Sequence, residues 1–104
     1  MMQYRQGDVF LVRVRSRAPG TEPAARERGR LVLAHGEATG HAHVIRDEAA
    51  ELYVQPKSGR RYLRLVKPAR LDHEEHTPIE LPAGLYEVRR QIEYTPEELR
   101  TVAD

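Results

Sequence analysis

The chain contains no cysteine and no tryptophan, a single phenylalanine, and only two lysines among its 17 basic residues. Without cysteine there are no disulfides and no thiolate metal sites, so any bound metal must be held by His, carboxylate, carbonyl or water. Nowhere do apolar residues approach the roughly 18 in succession that a membrane-spanning helix needs. The opening MMQYRQGDVFLVRV has no long apolar run behind a basic start, so a cytoplasmic protein with no membrane partner is expected. Net charge of one sign is also missing: the balance is +1, and there is no global electrostatic case for nucleic acid. The scarcity of lysine leaves arginine as the working cation, whose planar fork suits phosphate or carboxylate. The same Arg, Ala, Glu and Pro bias is what a GC-rich genome writes throughout a proteome.

What remains is a 104-residue chain with 39% hydrophobic residues, enough for one domain over 1–104 with a small core. DVFLVRVR, from Asp8 to Arg15, is the clearest strand, apolar on both faces in its first half. Residues 17–30 (RAPGTEPAARERGR) hold two prolines and two glycines without apolar periodicity and suggest a flexible loop. LVLA, then HAHVIR after a glycine-bracketed turn from Gly36 to Gly40, read as two further strands. ELYVQ and RYLRLV flank Lys57-Ser58-Gly59 as a β-hairpin, with Leu52, Val54, Leu63 and Leu65 on its apolar face. A long final strand follows Pro82-Ala83-Gly84, with Arg90 interrupting a face otherwise made by Tyr86, Val88, Ile92 and Tyr94. An arginine there either snorkels or lines a polar cavity. Thr95, Pro96 and Glu98 form a capping box, so a short C-terminal helix docked by Leu99 and Val102 is expected. The fold class is all-β: a small barrel or sandwich of about six strands with that helix at its end.

All five histidines fall between Ala34 and His76. His35 stands alone and reads as a bystander, while His41 and His43 form HAH and His73 and His76 form HEEH. On a strand, period two turns both imidazoles of HAH to one face. Two such ligands chelate a divalent ion when a third group comes from a neighbouring strand, and Glu48, His73, Glu74, Glu75 and His76 are the candidates. If HEEH curls, His73 and His76 converge; if it is extended, they point apart. The expected site is therefore a transition-metal centre for Zn, Fe, Mn or Ni at His41, His43, His73 and His76. His41, His43, His73 and Glu75 are its candidate catalytic residues, for hydrolytic or oxidative chemistry on a substrate the sequence does not name.

Two other classes compete with it. Paired histidines can act as general base and acid in metal-independent RNA cleavage, with Arg46, Arg61, Arg64, Arg89 and Tyr62 stabilising phosphate charge. Alternatively, a small β-domain binds a protein or nucleic acid without catalysis, and its free strand edges suit a homodimer.

Two resemblances rest on these same residues. Gly36, His41-Ala42-His43, Glu48 and the later Pro82-Ala83-Gly84 partly resemble the cupin metal motifs, which implies a β-barrel with a metal held at His41 and His43; Glu87 stands where a cupin's last His follows the PxG turn. More closely, QGDVFLV, GEATGHAH, HEEHTPIELPAGLY and QIEYTPEELR are similar to a family of short uncharacterised bacterial and phage-type proteins, over most of the chain outside 17–30. That resemblance implies no established activity.

Overall fold

A computed structural model describes residues 2–36, 40–94 and 99–101. The chain opens with β1 (Gln3–Gln6) and β2 (Val9–Arg13), an antiparallel hairpin turned at Gly7 and Asp8. β3 (Glu22–Pro23) is a two-residue edge strand, and β4 (Leu31–His35) pairs with β5 (Ala42–Ile45). β6 (Glu51–Val54) and β7 (Arg61–Leu65) form the hairpin expected around Lys57-Ser58-Gly59, with Leu52 opposite Leu63. β8 (Ala69–Asp72), β9 (Ile79–Leu81) and β10 (Gly84–Arg90) follow, then β11 (Ile92–Tyr94) and β12 (Leu99–Thr101). Among the described residues there is no helix, and so none long and apolar enough to cross a membrane.

The strands assemble into a six-stranded sheet in the order β1-β2-β10-β7-β6-β3 and a four-stranded sheet in the order β4-β5-β8-β9, with β11 and β12 a separate pair. Every pairing is antiparallel. Alternation sets the core: Val9, Leu11, Leu63, Leu65, Tyr86 and Val88 from the large sheet pack in one cluster with Leu31, Leu33, Ile45, Leu71 and Leu81 from the small one. The two sheets thus bury their inner faces against each other.

All-β is the class the sequence suggests, but three particulars differ. The sheets do not close into a barrel, because the small sheet ends at β4 and β9 and pairs with neither edge of the large one. This also removes the barrel implied by the cupin resemblance. Twelve strands are described where about six were expected, because β1, β3, β8 and β12 were not read as strands and the long final run divides at Gln91 into β10 and β11. At Gln91 the backbone N–H donates to the Asp8 carbonyl at 2.8 Å, and the chain leaves the large sheet for the β11–β12 pair. Finally, the expected C-terminal helix is absent where the chain is described: Leu99–Thr101 pairs with Ile92–Tyr94 as a strand. The capping box at Thr95, Pro96 and Glu98, and Val102, lie outside the described residues. A cap is a local signal, and strand pairing with a preceding segment outweighs it.

Within 17–30, β3 pairs with β6, and Ala24 N–H donates to the Leu52 carbonyl at 2.8 Å. The Arg26 guanidinium donates to the carbonyls of Gly29, Asp47, Glu48 and Ala50, clamping this segment against the chain that follows β5.

Candidate histidine site

The β4–β5 hairpin places the first histidine pair. Gly36 N–H donates to the His41 carbonyl at 2.6 Å and Gly40 sits at φ +74°, so the glycines bracket the connection and permit its left-handed step. His43, within β5, points inward and is fully buried, whereas His41, just before the strand, keeps 27% of its side chain exposed. Because Val44 pairs with Asp72 across the β5–β8 ladder, His43 comes opposite His73. The two rings lie 4.4 Å apart, and His41 packs edge-on against His73 at 5.5 Å.

The HEEH segment curls. His73 Nδ1 accepts the backbone N–H groups of Glu75 at 3.0 Å and His76 at 3.3 Å, the role an Asn or Asp side chain plays in a tight turn. This brings His76 to 4.5 Å from His73 and stacks it on His43 at 5.8 Å. Glu74 accepts the Ala42 N–H at 3.0 Å, stitching the curl to the start of β5, and that hydrogen bond is the largest cause holding its carboxyl below the usual range. Glu75 is 63% exposed and reaches His41 Nδ1 at 2.9 Å.

Beneath the imidazoles lies a second layer that sequence reasoning did not include. Gln6 at the end of β1 donates through Nε2 to the carbonyls of Leu71 at 3.0 Å and Thr77 at 3.1 Å. Its amide orientation is thereby set, so Oε1 must accept, and its partner is His43 Nδ1 at 2.9 Å. His43 is consequently the tautomer protonated on Nδ1, with the Nε2 lone pair facing Asp8 Oδ1 at 3.4 Å. Burial first, then the neighbouring His73, lowers the His43 pKa from 6.5 to about 4, despite the raising influence of Asp8, so the ring is neutral at pH 7.

Asp8 is buried too, at 1% exposure. Its Oδ2 accepts Arg90 Nε at 2.7 Å, and Arg90 Nη2 donates to the His35 carbonyl at 2.7 Å. The arginine on the apolar face of the final strand thus serves a buried carboxylate. Asp8 Oδ1, His43 Nε2 and His76 Nε2 are buried with no hydrogen-bond partner. Gly7, at φ +58°, lets the layers meet: a Cβ there would stand 2.6 Å from His76 Nε2. The one usable sequence signal for this layer was the polar QGD placed directly before the most apolar strand.

Other candidate residues lie elsewhere. His35 pairs with Glu27 at 3.2 Å. Glu48 is exposed and lends its carbonyl to Arg26. Arg61 donates to the Leu33 carbonyl, and burial with the nearby Arg90 lowers its pKa. Arg64 pairs with Glu51 at 3.4 Å and Arg89 with Glu87 at 2.7 Å, while buried Tyr62 lies opposite Glu87 in the ladder. Arg46 bonds Asp72 at 2.7 Å and, with Arg70, Glu74 and His73, lines a surface pocket of about 190 Å³ floored by Ala42 and Val44.

Residues 5–91, from within β1 to just past the end of β10, match a family model described as a domain of unknown function, DUF8820. The chain belongs to this DUF8820 family. No curated protein and no solved structure matches it. The matched span contains both histidine pairs together with Gln6, Asp8 and Arg90. Among the described residues no group of three or more His, Asp or Glu side chains is already arranged to hold an ion.

Proposed function

We propose that this domain binds one divalent transition-metal ion, of the Zn, Fe, Mn or Ni class, in the cluster formed by His41, His43, His73 and His76. The carrying observation is that the Nε2 atoms of His43 and His76 are buried without partners where two distant segments converge. A neutral imidazole whose other nitrogen is fixed by a hydrogen bond is the usual form of a metal ligand, and the Gln6 contact to His43 is of that kind. Ring centroids 4.4 to 5.8 Å apart are compatible with imidazoles surrounding one ion at the ordinary metal–nitrogen distance of about 2.0–2.1 Å. Since no three groups stand ready as placed, binding includes a side-chain adjustment. An ion with an open position there would supply Lewis-acid or metal-hydroxide chemistry, and Glu75 at the solvent side of His41 is the accessible base.

The metal-independent nuclease reading has less support. Arg46 lines a pocket with His73, whereas Arg61, Arg64 and Arg89 engage the Leu33 carbonyl, Glu51 and Glu87.

Metal analysis of purified, untagged protein tests the proposal, together with thermal unfolding in added Zn, Ni, Mn or Fe. About one equivalent of metal is expected, with stabilisation of about 2.7 kcal/mol when free metal is a hundredfold above Kd. Less than about a tenth of an equivalent, with no shift on adding any of the four, removes it.

A further inference from the structure

Resting on that reading, we infer that Asp8 is a ligand of this centre, that the ion-facing atoms are Asp8 Oδ1, His43 Nε2 and His76 Nε2, and that His73 positions His76 and does not bind the ion.

The three atoms are the buried, unpartnered ones at the base of the cluster. Asp8 Oδ1 and His43 Nε2 are both acceptors, because Gln6 holds the His43 proton on Nδ1 and Arg90 engages the other carboxylate oxygen. Two buried acceptors facing each other call for a cation between them. Their separation of 3.4 Å is the span expected between two ligands each about 2.1 Å from one ion at the tetrahedral angle. His76 Nε2 lies against the same turn, in the space that a side chain at Gly7 would fill, and a reorientation of its ring toward Asp8 and His43 completes the set, since no three groups among the described residues are arranged for an ion as placed. The resulting donor set is two neutral imidazoles and one carboxylate, with Gln6 and Arg90 orienting the inner two ligands from behind. Such a set leaves further coordination positions for water or a substrate and suits Zn, Fe or Mn.

His73 is central in the cluster by ring contacts but not by chemistry. Its Nδ1 lone pair receives two backbone N–H groups, so the neutral ring carries its proton on Nε2 and offers no free lone pair to an ion. Those two hydrogen bonds shape the turn that delivers His76.

The test uses the full chain, titrated with Zn(II), and with Co(II) for its ligand-field absorption. Asp8→Asn weakens Zn(II) binding by more than about a hundredfold, beyond the loss typical of an outer residue. His73→Ala also weakens it, but His73→Asn, which retains the acceptor for the two N–H groups, restores affinity to within about tenfold of wild type. X-ray absorption of the Zn-loaded wild type reports two imidazoles with oxygen donors, and this decides the matter even if Asp8→Asn does not fold. Three or more imidazoles on zinc, wild-type affinity in folded Asp8→Asn, or no rescue by His73→Asn overturns the ligand assignment. A wild type that binds neither Zn(II) nor Co(II) removes the metal reading itself, an outcome distinct from metal bound without Asp8.

Discussion

The two ends of the space between the sheets obey different rules. At one end, Leu63, Leu65, Leu52 and Tyr86 of the large sheet meet Leu31, Leu71 and Leu81 of the small one in an apolar cluster, and the Tyr86 hydroxyl is satisfied by the Pro82 carbonyl. At the other, the β1–β2 turn, the end of β10 and the starts of β5 and of the HEEH curl bring together Gln6, Asp8, Arg90, His43, His73 and His76. The first end accounts for folding. The second contains three orphaned polar atoms, each of which costs about 1–3 kcal/mol when left unpaired. A small domain keeps such an arrangement against its own stability where chemistry requires it.

This contrast can be broken by substitution at either end. The largest effect is expected at the apolar end, where Leu63→Ala removes a fully buried side chain and destabilises the domain by about 2–5 kcal/mol, measured by chemical denaturation. Metal affinity of the folded fraction should be unchanged; a large loss of affinity would mean that the two ends are not separable.

Next is pH. In metal-free protein His43 titrates at about 4 when folded and near 6.5 when unfolded, so between these values the unfolded chain takes up a proton that the folded one excludes. Its contribution is complete above pH 6.5 and is lost as pH falls toward 4, on the order of 3 kcal/mol in all. His43→Asn should flatten this part of the stability profile, and an unchanged slope would place the acid sensitivity elsewhere.

Gly7→Ala comes third. It combines a positive φ with a Cβ driven into His76, and should lower stability by about 1–3 kcal/mol. The same change displaces the His76 ring, which NMR of the imidazole resonances would register.

At the surface, Arg64→Ala breaks an exposed pair with Glu51 and should change stability by less than about 1 kcal/mol, screened further by salt. A larger value would show that the outer face of the large sheet is more than a solvated one.

The hairpin of β6 and β7 was legible in the sequence because a turn signal between alternating runs is local information, and Leu52 does come opposite Leu63. The curl of HEEH was open between two geometries, since the spacing of the two histidines is equally compatible with a turn and with an extended strand. The deciding contacts are His73 Nδ1 on its own turn and Glu74 on Ala42, 32 residues away. The C-terminal helix failed for the complementary reason: a capping box reports local preference, and Leu99–Thr101 joins Ile92–Tyr94 instead.

By itself, the sequence determined an all-β chain and singled out two histidine pairs, because alternation, turn residues and composition are written in neighbouring positions. It could also mark Arg90 as out of place on its strand. Only the tertiary structure decided that Arg90 answers Asp8, that Gln6 sets the His43 tautomer, and that Asp8, His43 and His76 each leave a buried polar atom unpaired. These partners are separated by up to 82 residues, and a side chain's proton and lone pair are assigned by whatever the fold brings against it.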